Sequence, residues 1–135
     1  MTSPSPFAGT WQLQSWTSLK NGEPAGYPMG TDAQGQIVYA DDGHMCAFLM
    51  RADFPGGTDG PTGDTCLSYG GSWNFENGQI KHGVTFSSLP HWIGRELVRS
   101  VRQDAGTMTL STEPEFSKTG NRYEHELIWK KVAVS

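Results

Sequence analysis

Residues 81–99 read KHGVTFSSLPHWIGRELVR, which predicts a strand, a corner containing proline and glycine, and a second strand. In the first strand His82, Val84 and Phe86 share one face, because successive side chains of a strand point to opposite sides of the sheet. The apolar members of the second strand bring Arg99 to the same inner side. An imidazole and a guanidinium buried among apolar side chains each need a partner or a ligand. The stretch therefore predicts a β-fold with polar groups on its inner face.

The composition of the chain indicates one soluble domain. Its 135 residues suffice for a single core, so we expect one domain over 1–135 with a flexible N-terminus at 1–6. A net charge of −4 and the lack of any Lys/Arg run argue against nucleic-acid binding. No apolar run approaches the roughly 20 residues of a membrane span, and no signal-peptide core follows Met1. We therefore expect a cytoplasmic protein with no membrane partner.

Turn signals divide the chain into eight or nine short alternating segments, and no segment has the pattern of an amphipathic helix. Turns are indicated at Asn21-Gly22, Asp41-Asp42-Gly43, Glu76-Asn77-Gly78 and Asp104-Ala105-Gly106. Closure of such strands into an antiparallel up-and-down barrel removes exposed edges. The predicted fold is thus an all-β barrel of about eight strands, whose interior can hold one small ligand.

Two further segments carry expectations about the barrel. Residues 44–51 show little polar alternation, which predicts a strand that packs on both faces or lies under a neighbouring element. Residues 52–64 are rich in glycine and proline, which predicts a loop that forms a lid over the barrel mouth.

Cys46 and Cys66 lie on different predicted strands. A disulfide is one alternative, but two free thiols fit a cytoplasmic protein better.

Several segments of the chain also resemble a known family. The shared features are Gly9-Thr10-Trp11, Gly35-Gln36-Ile37-Val38-Tyr39, Gly43-His44-Met45-Cys46-Ala47, Leu67-Ser68-Tyr69-Gly70-Gly71-Ser72-Trp73, His82-Gly83-Val84, Pro90-His91-Trp92-Ile93-Gly94 and Leu127-Ile128-Trp129-Lys130. In these the chain is similar to the bacterial and fungal lipocalin-like domain family of small cytoplasmic proteins. The resemblance implies a lipocalin/calycin barrel. Because some members look like enzymes of natural-product pathways, it also implies a cofactor-free cyclase, isomerase or dehydratase.

The chain departs from that family pattern in three places. Trp73 stands where many relatives carry tyrosine, and Gly83 stands where a second histidine is common. A Gly/Pro-rich loop between Met50 and Leu67 replaces the usual helical segment. The first two departures concern the chemistry of the barrel interior, and the third concerns its entrance.

Five polar side chains are expected to point into the barrel: Tyr69, His82, Arg99, Tyr123 and His125. Arg99 stays charged and offers a planar fork of donors, which suits an oxyanion, and His82 or His125 can exchange a proton with a ligand. We expect Tyr69, His82, Arg99 and His125 to be catalytic. The alternative is an internal polar network with no ligand role. The expected ligand-binding residues are Tyr39, Met50, Trp73, Phe86, Trp92, Met108 and Tyr123.

Other polar and aromatic residues favour simpler roles. His44 and Cys46 share a face but lack a third ligand, so we expect no metal; a nucleophile paired with its base is the alternative reading. Trp92 is expected to plug one barrel end while His91 faces solvent, the alternative being that both rim the pocket. A solvated face, rather than a pair of catalytic carboxylates, is expected for Glu113, Glu115, Glu124 and Glu126.

Two functions of different classes fit these residues. One is a cofactor-independent enzyme that works by acid–base chemistry on a small apolar, oxygenated molecule, such as a polyketide or an aromatic carbonyl compound. The other is a carrier or sensor that binds such a molecule unchanged, and a third reading is a filled barrel that acts through its surface. The inward ionisable groups favour the enzyme, because a carrier of simple hydrophobes needs fewer of them. A homodimer formed through a flat barrel face is left open.

Overall fold

The computed structural model describes residues 6–58, 60, 62 and 64–132. Within these ranges the regular structure is almost entirely β, with two single turns of 3₁₀ helix at Phe54–Gly56 and Pro90–Trp92. The strands are β1 (Gly9–Lys20), β2 (Glu23–Pro24), β3 (Gln34–Tyr39), β4 (His44–Met50), β5 (Cys66–Glu76), β6 (Gln79–Ser87), β7 (Glu96–Asp104), β8 (Thr107–Thr112), β9 (Glu115–Phe116) and β10 (Arg122–Lys131).

Eight of these strands close into an antiparallel barrel, so the predicted all-β up-and-down fold is confirmed. Their order is β1-β3-β4-β5-β6-β7-β8-β10, and β10 pairs back with β1. The two-residue strands β2 and β9 pair with the C-terminal end of β1 and the N-terminal end of β10, respectively. Because each strand pairs with a near neighbour in sequence, short hairpin connections suffice for most of the barrel.

The hairpin turns form where the sequence indicates them. Asn77 and Gly78 join β5 to β6 with φ angles of 53° and 76°, and Ala105 and Gly106 join β7 to β8 with φ angles of 44° and 87°. Positive φ at both central residues is the requirement of the type I′ turn, whose twist matches that of the flanking strands. The turns therefore determine the register of both hairpins.

The buried side chains fill one half of the barrel. At the filled end, the indole of Trp11 donates a hydrogen bond to the Phe7 carbonyl at 2.9 Å, and the Phe7 ring lies 4.7 Å from that of Phe75. The largest fully buried residues are Trp11, Met29, Ile37, Tyr39, Ile80, His82, Met108 and Trp129. Burial of an apolar side chain of this size stabilises the fold by roughly 1.5–3 kcal/mol. The other half of the barrel, where β5, β7 and β10 begin, contains a cavity.

A β-bulge in β1 changes which side chains face inward. The register of β1 against β10 shifts between Leu13 and Ser15. Beyond that shift Trp16 pairs with Leu127, and both residues line the cavity. The bulge therefore brings to the interior a tryptophan that strict alternation from Leu13 would place outside.

A second bulge lies in β6. Val84 and Phe86 pair with the adjacent Gly71 and Gly70 of β5, so Thr85 is an extra residue in its strand. Because one extra residue reverses the alternation, Phe86 turns away from the interior, and its side chain is 72% exposed. The predicted inward position of Phe86 is therefore wrong.

Strand β4 has one buried and one exposed face. Met45, Ala47 and Leu49 are buried, whereas Phe48 is 42% exposed, so the expectation of a strand covered on both faces is wrong. Met50 shares the outer parity with Phe48 and lines an outer groove rather than the cavity. The predicted place of Met50 inside the barrel is wrong for the same reason, because this strand alternates regularly from end to end.

Two predicted segments lie partly outside the described ranges. They are the flexible N-terminus, of which residues 1–5 are not described, and the lid, of which residues 59, 61 and 63 are not described. Both remain predictions. In the described part of the lid, Phe54–Gly56 forms a single 3₁₀ turn.

Cys46 and Cys66 are free thiols, the first exposed and the second buried. None of the helices in the described ranges has the length and apolarity to span a bilayer.

Candidate functional site

The candidate site is a cavity of about 450 Å³ at the end of the barrel opposite Trp11. Much of its wall is apolar, with Ile37, Leu49, Leu67, Leu110 and Leu127. Tyr69, Arg99 and His125 add polar groups to that wall. A largely apolar cavity with a few convergent polar groups is the usual form of a small-molecule site.

His82 lies directly behind this cavity, between two tyrosine hydroxyls. The side chain is fully buried, with Nε2 at 2.6 Å from the Tyr39 hydroxyl and Nδ1 at 2.9 Å from the Tyr69 hydroxyl. Strands β3, β5 and β6 bring these three residues together from distant parts of the sequence. Both ring nitrogens of His82 are therefore occupied by protein groups.

The direction of the protons in this network follows from burial. A neutral imidazole donates through one nitrogen and accepts through the other. Tyr39 is almost fully enclosed and, among the described residues, its hydroxyl has no acceptor other than His82, so its O–H must donate to Nε2. His82 then donates from Nδ1 to the oxygen of Tyr69. The remaining proton, on the hydroxyl of Tyr69, is left free at the cavity wall.

The surroundings keep His82 neutral and the two tyrosines protonated. Burial, with a smaller effect of the positive charge of Arg99, lowers the pKa of His82 to about 3. Burial raises the pKa of Tyr39 and of Tyr69, although Arg99 acts in the opposite direction on both. At neutral pH the three residues of the network are therefore uncharged, and their hydrogen bonds fix the direction of each O–H and N–H.

The low pKa of His82 predicts a loss of stability in acid. Between the unfolded value of 6.5 and the folded value of about 3, the unfolded chain binds a proton that the folded protein excludes. We expect the free energy of unfolding to fall more steeply between pH 7 and pH 4 in the wild type than in His82→Gln. The difference in slope should reach about 1.4 kcal/mol per pH unit. Urea unfolding at each pH measures it, and equal slopes would contradict the prediction.

His125 is hydrogen-bonded by Trp16, a residue of β1 that the alternation of inward and outward side chains would place outside the barrel. The indole N–H of Trp16 donates to Nδ1 of His125 at 3.0 Å, and the backbone N–H of His125 donates to Oγ1 of Thr112 at 2.8 Å. Since Nδ1 accepts, the neutral ring carries its proton on Nε2. Burial and Arg99 lower the pKa of His125, while Glu115 acts to raise it. His125 therefore acts as a hydrogen-bond donor in this arrangement rather than as a base.

Arg99 is the positive charge of the cavity wall. It is half-buried, and its guanidinium donates to the carbonyl of its neighbour Val98 at 3.2 Å. In the part of the chain that the structure describes, no carboxylate lies within 4.0 Å of it, in contrast to Arg102 and Arg122 on the outer surface. A partly desolvated guanidinium with unused donors is suited to bind a negatively charged oxygen.

The other predicted ligand-binding residues occupy three kinds of position. Tyr123 and Trp92 lie in the cavity wall, where the Trp92 ring meets that of Tyr69 edge-on at 5.5 Å. Trp73 lies behind Tyr39, with the ring centroids 4.7 Å apart, and Met108 is fully buried in the core. Phe86 and Met50 lie outside the barrel, as described above. His91 is exposed, as expected.

The acidic residues near the cavity divide into two groups. Glu124 and Glu126 form outer-surface ion pairs with Arg122 and Arg102. Exposed carboxylates also line the mouth of the cavity, where they are Asp64, Glu96, Glu113 and Glu115. Glu113 and Glu115 are exposed, as expected for a solvated face, and they also lie at the mouth of the cavity. Across the described residues, no three His, Cys, Asp or Glu side chains converge as a metal site.

Comparisons with known proteins agree with this architecture. The family model described as "Lipocalin-like domain" matches residues 8–132, which is nearly the whole chain. Neither curated protein sequences nor solved structures gave a match. The predicted resemblance is confirmed, and the barrel has the form of a small-molecule-binding fold. The chain belongs to the lipocalin-like domain family.

Proposed function

We propose that this protein is a cofactor-independent enzyme that moves protons within a small, largely apolar, oxygenated metabolite bound in the barrel. The observation that carries the proposal is the buried chain Tyr39–His82–Tyr69, which ends in an unused hydroxyl at a cavity wall that also contains Arg99. Perturbed titratable groups that converge on one cavity are typical of active sites. Isomerisation, cyclisation and dehydration of polyketide-like or aromatic carbonyl compounds are the reactions that such a site suits.

In the proposed reaction Tyr69 acts as an electrophilic donor. Its hydroxyl hydrogen-bonds to a carbonyl oxygen of the substrate, and Arg99 stabilises the negative charge that develops there as an enolate forms. Because burial raises the pKa of Tyr39, that phenol does not give up its proton readily, and because burial lowers the pKa of His82, the neutral imidazole does not readily take up a second proton. The network therefore holds the donor in place rather than passing a proton through to the substrate.

A base is also required to take the proton from carbon. Neither histidine is suited to this role, since both nitrogens of His82 and Nδ1 of His125 are already hydrogen-bonded. The exposed carboxylates Glu113 and Glu115 line the mouth of the same cavity, and Glu115 acts on the pKa of His125. We assign the base to this pair of residues.

The second candidate function is that of a carrier. It is favoured by the same observation that neither imidazole offers a free basic nitrogen to the cavity. In that case the donors of Tyr69, Arg99 and His125 hold the ligand's oxygen without any reaction, and the carboxylates at the mouth remain solvated.

Hydrogen–deuterium exchange separates the two functions. With 1-tetralone as an apolar ketone in D₂O, we expect the protein to accelerate exchange of the protons next to the carbonyl, followed by proton NMR. Tyr69→Phe removes the donor and should slow the catalysed exchange about 100-fold. Tyr27→Phe, at a tyrosine that is 49% exposed, is the matched control and should have no effect. If calorimetry shows that the ketone binds while exchange stays at the buffer rate, the carrier is favoured.

A further inference from the structure

The polar groups inside the cavity are hydrogen-bond donors. Arg99 has unused N–H groups, His125 carries its proton on Nε2, and Tyr69 has a free hydroxyl proton. The carboxylates of the cavity, in contrast, are the exposed ones at its mouth, together with the exposed Arg95. The interior therefore complements a ligand that supplies acceptor oxygens.

Trp129 adds an independent observation. Its side chain is 1% exposed and forms part of the cavity wall. Its indole N–H is the buried side-chain polar group that lacks a hydrogen-bond partner within the described part of the chain. Buried donors in native proteins are nearly always paired, because an unpaired one costs free energy. This unpaired N–H adds to the excess of hydrogen-bond donors around the cavity.

The positive charge of Arg99 indicates that the ligand of the cavity is an anion. A neutral ligand would leave a half-buried guanidinium without a counter-ion, whereas a carboxylate would pair with its planar fork of donors. The carboxylates at the mouth oppose an anion, and Glu115 is near enough to act on the pKa of His125. They are exposed to solvent, which weakens their effect relative to that of the half-buried Arg99. Arg99 is therefore the charge that favours an anion inside the cavity.

We infer that the ligand of this barrel is an apolar organic acid, bound as its carboxylate to Arg99 with its apolar body against the leucine-lined wall. The inference rests on the proposed function only for the location of the site, since an acid can be bound here with or without a reaction. It adds the ionic class of the ligand: a substrate acid would place its carboxylate on Arg99, and the developing enolate oxygen would then be held by the Tyr69 hydroxyl and the Nε2–H of His125.

The test compares two ligands of the same shape and different charge. Isothermal calorimetry at pH 7.5 measures the binding of 2-naphthoate and of the neutral 2-naphthamide to the wild type. We expect the wild type to bind 2-naphthoate at least about tenfold more tightly than the amide. In Arg99→Met that preference should fall to about twofold or less, with the affinity for the amide nearly unchanged.

Arg102→Met is the matched control, because it removes the same charge from the same strand on the outer face. It should keep the full preference for 2-naphthoate. Equal affinities in the wild type, no binding of 2-naphthoate, or a preference that survives in Arg99→Met would each overturn the inference. If Arg99→Met does not fold by circular dichroism, Arg99→Gln replaces it, and its preference for 2-naphthoate should likewise fall to about twofold or less. A protein that prefers 2-naphthoate but does not accelerate exchange of tetralone would be a carrier of organic acids.

Discussion

Replacement of His82 by alanine is expected to lower the free energy of unfolding by about 3–5 kcal/mol. The imidazole is fully buried and is the hydrogen-bond partner of both the Tyr39 and the Tyr69 hydroxyls. Its removal leaves a cavity and deprives two buried phenols of their partner, and both effects destabilise the folded state. Urea unfolding at pH 7, followed by tryptophan fluorescence, measures the change.

His44→Ala is the matched control for that experiment, because this histidine is exposed on the outer face of β4. Its unfolding midpoint should match that of the wild type. A double-mutant cycle with Tyr39→Phe and Tyr69→Phe then tests the network itself. If the two effects simply add, the tyrosines do not act through His82, and the proposed orientation of the Tyr69 proton loses its basis.

The second large effect is expected at the bulge of β6. A Cβ atom at Gly71 would overlap the Gly83 carbonyl oxygen and lie 2.9 Å from the backbone nitrogen of Thr85. Both obstacles are backbone atoms of the paired strand, so no side-chain rotation can relieve the clash. We expect Gly71→Ala to lower the free energy of unfolding by about 3 kcal/mol or more. Thermal unfolding followed by circular dichroism measures the loss.

Gly56→Ala is the comparison for Gly71→Ala. No atom lies within 4 Å of a Cβ built at Gly56, and its φ is not in the left-handed region. Its unfolding temperature should stay close to that of the wild type. A Gly71→Ala protein as stable as Gly56→Ala would mean that β5 and β6 are not held together at this bulge, and the outward orientation of Phe86 would then need another cause.

The barrel has a half filled by side chains and a half that contains the cavity, and the filled half supports the polar groups of the site. Tyr39 and Trp73 belong to the filled half, and Tyr69 lines the open half, so His82 lies at the boundary between them. A rigid core on one side supports the position of the donor on the other. Such support is what a binding or catalytic group needs to keep its geometry when the ligand arrives.

Local sequence patterns were enough to predict the barrel and several of its polar residues. Asn77-Gly78 adopts positive φ at both residues of its turn, because Asn-Gly is one of the few sequences that accept that conformation in a two-residue hairpin. Alternation within single strands placed His82, Arg99 and His125 toward the interior, and the structure brings all three to the cavity or directly behind it. Turns and side-chain alternation depend on residues that are close in sequence, which is why the sequence alone predicts them.

Other features were decided only by the tertiary structure. The bulges opposite Ile128 and Gly71 depend on how one strand pairs with another, and they moved Trp16 inward and Phe86 outward. The hydrogen bond from Trp16 to His125 joins residues 109 positions apart, and it decides that His125 donates rather than accepts. The sequence by itself determined the fold and the residue types available for chemistry, since turns and alternation are local. Which proton each group presents to the cavity depends on partners from distant strands, and only the closed barrel brings those together.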